Sequence, residues 1–318
     1  MGFAALQSHS IKNHRSIGGD APAKINLILD VLGVRPDGFH DIHSVAIGVG
    51  LYDRLTCSWP NQLGLTLVSS DPTLHTDENL ASRAALMLAR RAGCDPQVAI
   101  ELNKRIPIGT GLGGGSSDAA MALRLCNDLW DAGLTDLELA QMGAELGSDV
   151  PLFFHLPAVQ MTGRGECVAP FALRWSGFVL LVFPGIHVNT GDVYKAWHKE
   201  DIEASGTTSF SDIQEISQAD GLHDRLRNQL EPAVYRVCPR VKQAQDAIIN
   251  LGLLPTRVTG SGSALFRLYD DEDRARHAAR TIQQNMPGIR VEVVAGPVEP
   301  PHLNTRSHEW KSRIFASS

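Results

Sequence analysis

Between Ala21 and Val31 the chain alternates in polarity: Ala23, Ile25, Leu27, Leu29 and Val31 fall on one face, with Lys24 and Asn26 on the other. Successive side chains of a strand point to opposite faces, so this pattern predicts a strand with two polar groups turned away from its apolar side. Residues 1–20 contain no apolar run and read as a loose extension. Arg35-Pro36-Asp37-Gly38 predicts a turn leading into Phe39-His40, with short strands over 44–49, 53–58 and 65–68. An Ala/Leu-rich run predicts an amphipathic helix over 78–92, followed by a strand at 98–102. The apolar positions of 119–130 cover more than one side of a second helix, which implies burial on several sides. Thr135 and Glu138 form a capping-box pattern for a third helix that ends near Gly147.

Beyond Pro151 the pattern changes. Residues 177–184 read as a buried strand, 199–221 as a polar loop or short surface helices, and 222–230 and 240–251 as helices. Strands at 256–259 and 264–269 flank a second glycine cluster. A helix over 271–285 and a strand over 289–295 then complete a βαβ-like alternation, and the tail beyond Pro300 looks poorly ordered.

Length and composition narrow the class. The 318 residues suffice for two domains, and 43% hydrophobic with 20% charged residues is ordinary globular composition. A net charge of -6 argues against a nucleic-acid partner. The five cysteines show no C-x-x-C spacing, so free thiols in a reducing compartment are expected rather than a disulfide framework. The polar start is no secretory leader, and no stretch has the roughly 18 apolar residues of a membrane span. These features predict a cytoplasmic protein without a membrane partner.

The densest chemical signal is Pro107-Ile108-Gly109-Thr110-Gly111-Leu112-Gly113-Gly114-Gly115-Ser116-Ser117, directly before the second helix. Glycines let the backbone turn tightly, and a helix start offers unpaired N–H groups and the positive end of the helix dipole. Together they describe a phosphate cradle. No Gly-Lys-Ser/Thr follows, which excludes a Walker loop, and the Gly-Gly-Gly-Ser-Ser continuation is foreign to a dinucleotide fingerprint. A flexible linker is disfavoured because apolar segments flank the loop closely.

This loop resembles the central motif of the GHMP kinases. Ala21-Pro22-Ala23-Lys24-Ile25-Asn26-Leu27 and Val258-Thr259-Gly260-Ser261-Gly262-Ser263-Ala264 resemble the family's other two motifs, in the right order. Arg35–His40, Lys104–Pro107, Gly147-Ser148-Asp149-Val150-Pro151 and Gly163-Arg164-Gly165-Glu166 are similar to the branch acting on 4-diphosphocytidyl-2-C-methyl-D-erythritol. The resemblance runs from about residue 21 to 297. It implies an α+β two-domain architecture, with the active site in the cleft between the domains. The expected parts are an extension at 1–20, an ATP-binding domain at 21–170, a ferredoxin-like domain at 171–298 and a tail at 299–318. ATP would be the co-substrate, magnesium would neutralise its phosphates, and the protein would be a monomer or homodimer.

The resemblance also implies roles. Asp149 is the candidate general base, with an N-cap or surface carboxylate as the alternative; Lys24 would orient it and favour its ionised form. Pro107, Gly109, Gly111, Leu112, Gly113, Gly114, Gly115, Ser116 and Ser117 would hold ATP, with Asn79 and Lys104 beside the nucleotide. Ser116 and Ser117 could also cap the helix. Asn26, Thr190, Gly260, Ser261 and Gly262 would surround the acceptor. His40 would read the cytosine edge, with Phe39 and Tyr194 as stacking surfaces. Phe39 stands where the branch has Tyr, so stacking survives and one hydrogen bond is lost. No metal ligand is assigned, because magnesium keeps several waters. The alternatives are another GHMP kinase for a small alcohol such as homoserine or mevalonate, a non-catalytic nucleotide-binding regulator, and a nucleic-acid module disfavoured by the acidic balance.

Overall fold

The structure, a computed structural model, describes residues 15–76, 78–201, 209–300 and 303–307. Strands β1 (Arg15–Val34) and β2 (His40–Ser58) form a long antiparallel pair. The predicted turn joins them, with Gly38 N–H donating to Arg35 O and Arg35 N–H to Phe39 O. Then come β3 (Leu65–Ser69), α1 (Leu80–Ala92), β4 (Val98–Asn103), α2 (Gly114–Leu129) and α3 (Asp136–Leu146). The predicted capping box at Thr135 and Glu138 is present in full. Strands β5 (Ala158–Thr162) and β6 (Cys167–Pro170) extend the first sheet from β2.

The second half contains β7 (Gly177–Phe183), α4 (Thr190–Lys195), α5 (Ser211–Gln214), α6 (Ala219–His223), β8 (Arg227–Asn228), α7 (Glu231–Val237) and α8 (Pro239–Asn250). It ends with β9 (Arg257–Val258), β10 (Leu265–Tyr269), α9 (Glu272–Asn285), β11 (Arg290–Gly296) and β12 (Asn304–Ser307). The first sheet runs β12-β1-β2-β4-β3, and the second is antiparallel in the order β11-β7-β10-β9. That second order, with helices between β7 and β9 and between β10 and β11, is a ferredoxin-like arrangement.

The layers run helix, sheet, sheet, helix. On one face of the first sheet, Ala119, Leu123 and Cys126 of α2 pack with Ile17, Leu55 and Cys57. On the other, Ile25, Leu27, Ile47 and Val49 meet Val179, Leu181, Phe266 and Leu268 of the second sheet. The alternate residues Leu180, Val182 and Leu265 face Val234, Ile248, Ala275 and Ile282 of the outer helices. Strand β7 is therefore apolar throughout because both its faces are covered, and each such side chain contributes about 1.5–3 kcal/mol on burial. Among the described residues no helix is long and apolar enough to cross a membrane.

Several expectations need correction. Residues 15–20 lie inside β1 rather than in a loose extension, with Ile17 fully buried. Their Gly-Gly pair hides the strand from polarity patterning, and a Cβ on Gly19 would lie 2.3 Å from the Met121 sulfur. Residues 304–307, expected in a loose tail, pair with 15–18; residues 1–14 and 308–318 lie outside the described residues. The expected strands at 44–49 and 53–58 are one strand, because the break between them is a bulge opposite Pro22-Ala23. Within 199–221, Ile213 and Ala219 reach the core between the sheets, and 202–208 lies outside the described residues. The expected helix at 222–230 ends at His223, and residues 227–228 form a strand parallel to β1. Arg227 pairs there with Asp30, a tertiary partner that local propensity does not register.

Candidate active site

The glycine loop leads directly into α2, whose N-cap is Gly113 at φ 70° with no side-chain cap bond. Neither Ser116 nor Ser117 caps the helix. The first intrahelical donor in this turn is Ser117 N–H, bonded to Gly113 O, so the N–H groups of Gly114, Gly115 and Ser116 have no intrahelical acceptor. These three residues line a cavity of about 890 Å³. The loop is stitched to both halves of the molecule: Lys24 N–H donates to Leu112 O, and Ala264 N–H to Thr110 O. A Cβ on Gly111 would lie 2.2 Å from Thr259 O, so only glycine permits this approach at φ 79°.

Lys24 sits on β1, on the face opposite Ala23 and Ile25, and is 4% exposed. The polar side of this strand is thus buried in the cleft. Its Nζ donates to Asn26 Oδ1 at 2.7 Å and lies 3.3 Å from Asp149 Oδ2. Asp149 arrives on the turn after α3, where Gly147 and Val150 close the chain before a 3-10 turn at Pro151–Phe154. It caps no helix and keeps about a third of its side chain open to the cavity. Asn26 is held in turn: its amide donates to Ser44 Oγ at 2.9 Å, and its backbone N–H donates to Thr259 Oγ1.

On one side of this pair lie His40, Tyr194 and Trp197. The His40 ring is 5.0 Å from Tyr194 and 5.7 Å, edge-on, from Trp197. Burial lowers the His40 pKa, so the neutral imidazole is favoured. Burial first, and then the charge of Asp149, raise the Tyr194 pKa. Phe39 is half exposed beneath the Arg164 guanidinium, 4.9 Å from the ring centre. Thr190 and Ser261 close this side through a 2.8 Å hydroxyl contact.

On the other side Asn79 caps α1, accepting from Ala81 N–H and donating to Leu74 O. Lys104 bridges two carboxylates, Asp118 at 2.7 Å and Asp53. Burial opposes its charge, but the two carboxylates outweigh it and hold its pKa above the ordinary value. Burial also raises Asp118. Asp53 additionally accepts from the N–H groups of Arg105 and Ile106, which fixes the entry to the glycine loop.

The cavity is lined by all the predicted site residues except Ser117 and Gly262. Ser117 is turned into the core, with its hydroxyl buried and unpartnered. Gly262 packs toward Val234 and Val258. Residue-type reasoning missed Asp118 and Arg164 in the wall and Ser44 behind Asn26. Arg164 lay in plain view between two glycines; Asp118 and Ser44 carried no local signal.

The arrangement combines a helix N-terminus for phosphates with a lysine–carboxylate pair and an aromatic-flanked pocket. Comparison with known proteins agrees. The model for the GHMP kinases N terminal domain matches residues 79–155, and that for the GHMP kinases C terminal matches residues 200–288. A 4-diphosphocytidyl-2-C-methyl-D-erythritol kinase of Geobacter sp. (strain M21) is 36% identical over 266 residues, 83% of this chain and 93% of that protein. The enzyme of the same name from Exiguobacterium sibiricum is 37% identical, covering 80% of this chain and 90% of its own length. The crystal structure of a 4-(cytidine 5'-diphospho)-2C-methyl-D-erythritol kinase superposes with a TM-score of 0.71 at 34% identity, over 88% of this chain and 99% of that one. A homoserine kinase from Cytophaga hutchinsonii shares the fold at a TM-score of 0.68 and 18% identity, over 91% and 97%. The chain belongs to the GHMP kinase family.

Proposed function

We infer that the chain transfers the γ-phosphoryl group of ATP to the 2-hydroxyl of 4-diphosphocytidyl-2-C-methyl-D-erythritol. The products are the 2-phosphate and ADP, in the non-mevalonate route to isoprenoid precursors. The observation that carries this reading is the Lys24–Asp149 pair at 3.3 Å, set between the α2 N-terminus and the Phe39–His40–Tyr194 pocket. The acceptor's identity follows from the relatives' shared activity.

In this reading the triphosphate lies along 107–116, where the free N–H groups of Gly114, Gly115 and Ser116 and the helix dipole favour negative charge. Asn79 and Lys104 border the nucleotide; Lys104 acts through the loop it anchors, since its charge is taken by Asp53 and Asp118. The cytosine lies against Phe39 and Tyr194, with the neutral His40 at its edge. Arg164 and Thr190, beside Ser261 and Gly260, face the acceptor's phosphates. The acceptor oxygen gives its proton to the Asp149 carboxylate as it bonds to the γ-phosphorus, and the β–γ bridge breaks with its electron pair on ADP. Lys24, 3.3 Å from Asp149, orients that carboxylate and offsets charge on the transferring group.

Magnesium would supply further neutralisation of the phosphates. The described residues hold no cluster of three or more His, Cys, Asp or Glu side chains suited to a metal, and Asp118 is tied to Lys104. The Ser116 hydroxyl, which lines the cavity at the helix start, would be the protein oxygen available to such an ion. The free cysteines support a reducing, cytoplasmic setting.

The deciding experiment measures ADP release with the cytidine diphosphate alcohol, mevalonate and homoserine as parallel acceptors. Turnover confined to the cytidine compound is the expected result. Turnover with either of the others alone would replace the acceptor while keeping the kinase, and no turnover with any of the three would favour a regulator.

A further inference from the structure

Residues 227–229 lie outside the cavity wall, yet each binds a different part of the cleft's framework. Arg227 forms a buried two-pronged pair with Asp30, its Nε 2.6 Å from Oδ1. Gln229 accepts from Val31 N–H at 2.7 Å and donates its own N–H to Leu29 O. These bonds seat β8 beside β1, in register Ile28–Arg227 and Leu29–Asn228, four residues beyond Lys24. Asn228, 4% exposed, reaches the other way. Its Nδ2 donates to Val258 O at 3.0 Å and to Gly260 O at 2.7 Å, and its Oδ1 accepts from Leu230 N–H at 3.0 Å.

Both N–H donors of this amide are thus committed and its oxygen accepts one bond, and the two donor bonds end on the backbone of the 258–263 loop. That loop forms the roof of the cleft. A Cβ on Gly260 would lie 3.3 Å from Lys24 Nζ and 3.4 Å from Asn26 Oδ1. The neighbouring Ser261 holds Thr190, and Thr259 Oγ1 receives the N–H of Asn26. The loop therefore touches the lysine, its amide neighbour and the acceptor side together.

We propose that Asn228 is a positioning residue: a single buried amide that sets the height of the Val258–Ser263 loop over Lys24, and so the alignment of the acceptor hydroxyl with Asp149. Only an amide supplies two donors and one acceptor in this geometry. A carboxylate of the same shape would face two carbonyl oxygens without a proton and push the loop away from Lys24. Once protonated, it would recover one of the two donor bonds.

The inference rests on the kinase reading above. Turnover of the wild-type chain tests that reading, and the variants are scored only as ratios to wild type with whichever alcohol it phosphorylates. Asn228→Asp is assayed for kcat and for both KM values between pH 6 and 8.5, with thermal unfolding at each pH to confirm a folded protein. Its kcat relative to wild type should be lower by roughly tenfold or more at pH 8.5 and should climb several-fold as pH falls, because protonation restores a donor. Wild-type kcat at pH 8.5 in a folded Asn228→Asp protein, or a deficit whose ratio is the same at every pH, overturns the proposal. Should Asn228→Asp not fold, the folded pair Asn228→Ser and Asn228→Ala decides. Serine, with one hydroxyl donor, should retain several-fold more kcat than alanine, and equal kcat in the two overturns the proposal.

Discussion

Replacing Gly111 by alanine tests the contact between the two glycine-rich loops. Gly111 holds φ 79°, and a methyl group there would meet backbone on every near side: Thr259 O at 2.2 Å, Gly262 N at 3.1 Å and Gly262 O at 3.2 Å. Two costs add. The left-handed conformation costs a residue with a Cβ about 1–2 kcal/mol. Overlap with backbone rather than a movable side chain forces one loop aside, at about 1–3 kcal/mol by analogy with overpacked cores. Gly111→Ala should therefore lose about 2–5 kcal/mol of stability. Gly133 separates the two effects: its φ is 72°, but a Cβ there would meet nothing within 4 Å. Gly133→Ala should lose only the conformational part, about 1–2 kcal/mol. The displaced loops flank Lys24, so kcat/KM should fall roughly 10- to 100-fold in Gly111→Ala and stay within about twofold of wild type in Gly133→Ala. The assay is denaturant unfolding of both variants beside steady-state ADP release. Equal destabilisation of the two, or wild-type kcat/KM in Gly111→Ala, would refute the packing of loop on loop.

Three further predictions follow from the site and the core. Asp149→Asn should lower kcat by about 10²–10⁴-fold while ATP still binds by calorimetry; near-wild-type turnover would remove Asp149 as the base. His40→Ala should raise KM for the cytidine acceptor roughly tenfold and leave KM for ATP unchanged, and equal changes in both would take His40 out of acceptor recognition. His223, buried against Phe266, has its pKa lowered from 6.5 to about 3 by burial and then by Arg267 and Arg257. Its neutral form belongs to the folded state, so stability is complete above pH 6.5. It is lost below that, by about 1.4 kcal/mol per pH unit down to about pH 3, as the unfolded chain takes up the proton first. His223→Leu should flatten this acid limb in urea midpoints measured from pH 7 to 4, and an unchanged slope would show that other groups set it.

Much of the site could be read before any tertiary structure. The glycine loop with its following helix and the Thr135–Glu138 box are local devices, each written in neighbouring residues: one leaves a helix start with free N–H groups, the other caps a helix start reciprocally. Polarity alternation placed Lys24 and Asn26 on one face of β1, and the resemblance of the three motifs pointed to their company. Where local reasoning failed, a distant partner had prevailed. Residues 227–228 form a strand because Asp30 and the carbonyls of 258 and 260 receive their side chains. Residues 15–18 form a strand between β2 and residues 304–307, and 304–307 form one against them, through ladders of backbone groups that side-chain patterning does not reveal. Ser117 left the cleft because the helical turn that begins at Gly113 points it into the core.

The sequence alone determined which chemistry was available: a phosphate cradle, an amine, a carboxylate and an aromatic pair, since those depend on residue type and short spacing. Only the tertiary structure decided that Lys24 of β1 and Asp149 of the turn after α3 lie 3.3 Å apart, beneath a loop held by Asn228. A buried lysine and a part-exposed carboxylate from remote segments can be kept at that distance only when the packing of both sheets and the register of β8 on β1 fix the backbones that carry them.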